Sequence, residues 1–294
     1  MAQATPTSRG FRRPRGSKRR SSSVPWGSPS VYLIATVLIA VCIMPVLYII
    51  LGGFRSNSQI TTNPAGLPDP WIFENYTNVL TADTFWTQFR NSMISAGLTT
   101  LGCVALALGA SYVIARYDFR GRNALFSLFA AGLMFPLTVA ITPLYILIRT
   151  LGLTDDLAGI ILPQIAFALP VTVIILVPFI RAIPKEIEEA ASIDGSGRLG
   201  FFFRMVLPLS LPGVITTGIL AFVGAWNNYL LPLFILSSPE KYTLPLGVQA
   251  FASQYSVNTA AVLAFTSLSM LPALLFFSIF ERRIVGGLTG AVKG

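Results

Sequence analysis

Apolar residues in this chain come in long uncharged blocks, at positions 31–54, 92–115, 124–148, 157–180, 209–236 and 260–280, each more than twenty residues long. At 1.5 Å of helix per residue, about 20 residues cross the roughly 30 Å of hydrocarbon in a bilayer. A soluble bundle would instead interleave charged faces along its helices. The pattern therefore predicts an all-α integral membrane protein with six transmembrane helices. The blocks are bounded by charges or by Gly and Pro turn signals, and 55–90 reads as a polar loop. Residues 1–29, rich in Arg, Lys, Ser and Pro, lack apolar periodicity and predict a disordered basic tail. The first apolar block is too long for a signal-peptide core and lacks a small-residue cleavage site, which makes it an uncleaved first helix.

Charge placement orients the six spans. Seven Lys and Arg residues fall in the N-terminal tail, three in 116–122, four in 181–204 and three after 281. Only Arg55, Arg90, Arg149 and Lys241 lie on the other side, so the positive-inside rule puts both termini in the cytoplasm. The net charge of +9 thus follows membrane topology and does not mark a nucleic-acid face. With 53% hydrophobic and 11% charged residues among 294, and a mean hydropathy of +0.68, the chain holds more apolar surface than one soluble core could bury.

The absence of histidine weighs against zinc peptidase and Ser-His-Asp chemistry, and no metal site is expected. Cys42 and Cys103 lie inside apolar blocks and read as small buried hydrophobes. No Gly-rich loop ends in Gly-Lys-Ser or Gly-Lys-Thr, so the chain is not expected to hydrolyse ATP. Nor does any charge sit near the middle of a span, where ion-coupled carriers and proton relays keep one. Pro45, Pro136, Pro143, Pro163, Pro170, Pro178, Pro232 and Pro272 interrupt the spans. They free carbonyls for a cavity, or are ordinary membrane-helix prolines.

The loop at 181–208 is long, amphipathic and punctuated like two short helices. Pro184 suits a first turn, Glu186, Glu188 and Glu189 complement its positive end, and Gly195 provides a left-handed stop. Ile187, Ala190 and Ala191 are expected on one face, where two alanines allow close approach to a groove on another protein. Glu189-Ala190-Ala191, Asp194-Gly195, Arg204 and Leu207-Pro208 together resemble the EAA loop of binding-protein-dependent ABC importer permeases. The resemblance implies a type I importer bundle whose loop docks into a separate ATPase subunit through Glu189, Ala190, Ala191, Asp194 and Gly195, with Arg204 and Pro208 completing the motif.

The C-terminus, with Glu281-Arg282-Arg283, Gly287-Leu288-Thr289 and Ala291-Val292-Lys293-Gly294, resembles the tail of the maltose-type second permease subunit. That resemblance implies a cytoplasmic tail at 285–294 whose Thr289, Val292 and Lys293 reach the ATPase interface, after a permease domain at 30–284. Arg282 and Arg283 equally suit snorkelling to the membrane surface.

In the fifth block, Trp226-Asn227-Asn228-Tyr229 places two amides where lipid would penalise them unless they face a cavity or a partner helix. Amides exchange hydrogen bonds with sugar hydroxyls and an aromatic ring covers a pyranose face, which makes these four residues candidates for the solute pathway. Gln164, Thr142 and Tyr145 are further candidates for the same lining, and helix–helix bonding with an interfacial aromatic belt is the alternative. The resemblance implies a prokaryotic inner-membrane permease that imports a sugar by alternating access. Its implied partners are a second homologous permease, two ATPase subunits carrying ATP and Mg, an extracytoplasmic solute-binding protein and membrane lipid. A permease for amino acids or glycerophosphodiesters, or an ion-coupled carrier, is the rival expectation.

Overall fold

The computed structural model describes residues 29–251 and 258–292, with side chains up to residue 279. The described residues are helical, with no strand among them. In chain order they form α1 (Pro29–Gly52), α2 (Asn57–Thr62), α3 (Glu74–Thr81), α4 (Asp83–Arg116), α5 (Arg122–Gly132), α6 (Leu137–Thr150), α7 (Leu157–Arg181) and α8 (Lys185–Ile193). After these come α9 (Arg198–Phe201), a π-helical turn (Phe202–Val206), α10 (Leu207–Leu209), α11 (Leu211–Trp226), α12 (Leu230–Ile235), α13 (Leu244–Gly247) and α14 (Thr259–Val292). Among the described residues, those from Pro29 to Pro45 belong to one compact unit and those from Val46 onward to a second that contains every element after α1.

Four helices, α1, α4, α7 and the Thr259–Ile279 part of α14, are long and apolar enough to cross a membrane unaided. The expected third span is not one straight helix: α5 and α6 meet at 100° across residues 133–136. Gly132 ends α5 and Pro136 caps α6 in extended conformation, while a proline disfavours helical backbone in the residue before it. The fifth block is not one straight helix either: α11 ends at Trp226 and α12 restarts at Leu230, while the 198–209 segment that leads into the block meets α11 at 75°. Counting each bent pair as one crossing brings the total to six.

Two further expectations are corrected. The stretch 55–90 is not a plain loop, since it contains α2, α3 and the first turns of the 34-residue α4. Buried Arg55 organises it by donating to the carbonyls of Pro64 (3.1 Å), Gln59 (2.6 Å) and Asn63, which closes off the C-terminal end of α2. Residues 285–292, expected as a separate tail, continue α14. Nothing in that stretch removes a backbone donor as proline would, so its glycines weaken the helix without ending it.

The core of the second unit is built on α4 and α7, which pack along much of their length, with α11 against both and α14 against α11. An aromatic layer of Phe85, Phe222, Trp226 and Phe265 fills the junction of α4, α11 and α14. Further along, Ala107, Leu108 and Ile114 interlock with Val173, Leu176 and Val177. Gly159 permits the turn before α7 to close, because a Cβ there would lie 2.2 Å from the Leu153 carbonyl oxygen. Of the two cysteines, Cys103 is buried, with its sulfur 3.3 Å from the Thr172 hydroxyl, whereas Cys42 is exposed.

Candidate coupling surface and solute cavity

The loop after α7 folds as its residue types dictate. Pro184 caps α8 with φ −57° and ψ 143°, and Glu186 and Glu188 occupy the first turn near the positive end of the helix dipole. At the other end the Ser196 N–H donates to the Ala191 carbonyl (2.8 Å) and the Gly195 N–H to Ser192 (3.1 Å), with Gly195 at φ +76°. This paired pattern is a Schellman stop, and it needs the left-handed backbone that glycine adopts freely.

Ile187 and Ala191 point inward and pack with Tyr112, Ile180, Ile183, Phe201 and Val206. Ala190 does not share their face, contrary to expectation. Neighbouring residues on a helix are about 100° apart, so the spacing of four from Ile187 to Ala191 takes the inner stripe and turns Ala190 outward. Ala190 is exposed there beside Glu189 and Ile193, which is 86% exposed. Leu199 and Phe203 are 73% and 61% exposed. Asp194, Arg204 and Pro208 are exposed as well, with Arg204 in the π-helical turn and Pro208 at the start of α10.

The end of α4 grips this loop through side chains that the sequence did not single out. Buried Arg116 donates to the Ile183 carbonyl (2.7 Å) and lies 3.5 Å from the Glu188 carboxylate. Tyr112 donates to the Arg198 carbonyl (3.1 Å), and the Arg198 guanidinium sits 5.1 Å from the centre of the Tyr117 ring. In the sequence, Arg116 counted only toward topology; its position one residue past an apolar block, with an acidic helix downstream, was the available signal.

A cavity of about 250 Å³ lies between α4, α7 and α11, beside the break that follows α11. Gln164 and Asn228 both line it, together with Thr99. Gln164 is only 6% exposed; its Oε1 accepts from the Thr99 hydroxyl (3.0 Å) and the Ser95 hydroxyl (3.3 Å), while its Nε2 has no partner among the described residues. A buried donor left this way typically costs about 1–3 kcal/mol. Asn228, one residue before the N-cap Tyr229, accepts the Leu231 N–H on Oδ1 (3.1 Å) and so satisfies a free donor in the first turn of α12.

The remaining candidates are dispersed. Trp226 is 2% exposed and belongs to the aromatic core, where its Nε1 donates to the Ser269 carbonyl (3.2 Å). Asn227 is exposed, and Tyr229 accepts a hydrogen bond from Gln249 (2.9 Å) on its hydroxyl. Neither Tyr145, half-buried on α6, nor exposed Thr142 lines the cavity. Reading the sequence missed Thr99 and Ser95, because small hydroxyls in apolar helices are common and bond to their own backbone. Thr289 and Val292 fall in the last turns of α14, while Lys293 and the basic tail up to residue 28 lie outside the described residues.

At the other end of the bundle, Asp155 clasps the turn before α7 to the segment after α12. At φ 53° it accepts the N–H groups of Ser237 (2.9 Å) and Ser238 (3.0 Å) and the Ser238 hydroxyl (2.6 Å), with Lys241 3.8 Å away. The Ser238 hydroxyl first, then the two backbone donors and Lys241, hold its carboxyl down at about 2.

Comparison with known proteins places this architecture. A diacetylchitobiose uptake system permease protein of Streptomyces coelicolor is 36% identical over 85% of this chain and 83% of its own. A sulfoquinovosyl glycerol transport system permease protein of Agrobacterium fabrum is 33% identical over 91% of this chain and 95% of its own. The crystal structure of a bacterial ABC transporter involved in the import of the acidic polysaccharide alginate shares the fold, with a TM-score of 0.75, 20% identity and coverage of 88% of this chain and 99% of that one. Since residues 103–286 match the family described as the binding-protein-dependent transport system inner membrane component, the chain belongs to that family.

Proposed function

We propose that the chain is one permease subunit of an ATP-driven importer that carries a sugar from an extracytoplasmic binding protein into the cytoplasm by alternating access. It works beside a second, homologous permease and two ATPase subunits that bind ATP and Mg, in the inner membrane of a prokaryote. The six uncharged apolar blocks give six spans, with the 181–208 segment on the cytoplasmic side between the fourth and fifth, and the Lys and Arg distribution puts both termini in the cytoplasm.

The observation that carries this reading is the two-sidedness of the 181–208 loop. Its inner side is locked to α4 by Arg116, Ile187 and Ala191, while Glu189, Ile193, Leu199 and Phe203 face outward with nothing over them among the described residues. Exposed apolar residues grouped on one loop mark a docking surface. Glu189, Ala190, Ala191, Asp194, Gly195, Arg204 and Pro208 form the surface on which the ATPase pushes, and Thr289, Val292 and Lys293 extend the contact from the chain's end. Gln164 and Asn228 serve the solute pathway.

The test is ATP-driven uptake by the assembled complex with its binding protein in proteoliposomes. Sugars should accumulate when ATP is supplied inside and should not when only a proton or sodium gradient is imposed. Uptake driven by the gradient, or stimulation of ATP hydrolysis by amino acids or glycerophosphodiesters in place of sugars, would overturn the proposal.

A further inference from the structure

The cavity between α4, α7 and α11 presents donors and no charge. The Oε1 of Gln164 is occupied by two hydroxyls from α4, which leaves Nε2 buried and without a partner among the described residues, on a side chain that belongs to the cavity wall. At Asn228 the amide orientation is fixed, because the Leu231 N–H can only donate and so must meet Oδ1, leaving the nitrogen for another partner. Most of the remaining wall is apolar, with Leu137, Phe167 and Leu220 prominent, and no Asp, Glu, Lys or Arg lines it among the described residues.

We infer that this wall selects an uncharged sugar, held by its acceptor oxygens on the Gln164 and Asn228 amide nitrogens with a C–H face against Phe167 and Leu220, and rejects sugars bearing a carboxylate or sulfonate. The inference rests on the sugar-import reading above. A neutral hydroxyl or carbonyl oxygen loses one water and gains one amide N–H, a near-balanced exchange that also relieves the orphaned donor. An anion would shed a full hydration shell with no cation on this wall to replace it, and two neutral donors return less than that costs. The hydroxyls of Thr99 and Ser95 are positioning groups, since they act by aiming Gln164.

The assembled transporter with its binding protein is given a panel of neutral disaccharides, diacetylchitobiose among them, and anionic counterparts including sulfoquinovosyl glycerol. Neutral members should drive uptake and anionic members should not. Gln164→Leu should raise the KM for uptake about tenfold, equivalent to one net hydrogen bond. Ser95→Ala, which leaves the amide in place but loosens its aim, should raise it about threefold, and this milder variant guards against a misfolded Gln164→Leu protein. Anionic sugars carried as well as neutral ones, or an unchanged KM in both membrane-assembled variants, would overturn the inference while leaving sugar import intact. If no sugar of either kind stimulates ATP hydrolysis and an amino acid does, sugar import itself falls, and the inference with it.

Discussion

At the scale of single residues, what matters is which partner each polar group has found. Glu189 has no hydrogen bond or ion pair among the described residues and faces away from the bundle, whereas Glu188, one position earlier, is held by Arg116. Reversing the first should therefore spare the fold and damage the docking surface. Glu189→Lys is expected to abolish uptake while membrane levels of the protein, read by immunoblot, stay unchanged; normal uptake would refute the assignment. Asp155 gives a pH prediction of definite sign. Its carboxyl is held at about 2, below the ordinary carboxylate value of about 4, so the clasp contributes stability at neutral pH. That contribution is lost only as pH falls from about 4 through about 2. Protection of the Ser237 and Ser238 amides against hydrogen exchange, taken relative to the intrinsic rate at each pH, should stay constant between pH 5 and pH 8, and Asp155→Asn should lower it throughout that range.

At the scale of elements, the sequence disclosed those features that one stretch of chain decides alone. Uncharged length specified the long helices, and Pro184, the acidic first turn and Gly195 specified both ends of α8. Features that depend on a distant partner stayed hidden. The helices within 55–90 depend on Arg55 reaching back to carbonyls of its own loop, and no local pattern announces that closure. Trp226 read as a sugar platform because an aromatic beside amides suits one, yet packing against Phe89, Phe222 and Ser269 claims it for the core. Asn228 was legible as a polar group with a purpose, but part of that purpose is to start α12. Two glycines test these local arguments. Gly195→Ala meets open space and only backbone strain, so the loss should be about 1 kcal/mol, with Gly195→Asn milder. Gly159→Ala would drive a Cβ into a backbone oxygen that cannot swing aside, and it should lower the thermal midpoint of the purified complex by far more than Gly195→Ala does.

For the whole molecule, the exposed side of α8 and α9 and the wall lined by Gln164 are surfaces that imply company. Hydrogen exchange across 186–204 should slow when the ATPase subunits are added, and an unchanged rate would show that the loop is not where they bind. The two surfaces are joined by α4. Over its 34 residues, about 50 Å of helix, it carries Asn91, bonded to the Glu240 and Tyr242 carbonyls, then Ser95 and Thr99 on Gln164, then Tyr112 and Arg116 on the 181–208 loop. Its interior contains no proline to act as a hinge. A shove delivered at one tip is expected to travel along this unbroken helix as along a piston rod, so that the joints around it give way before it does.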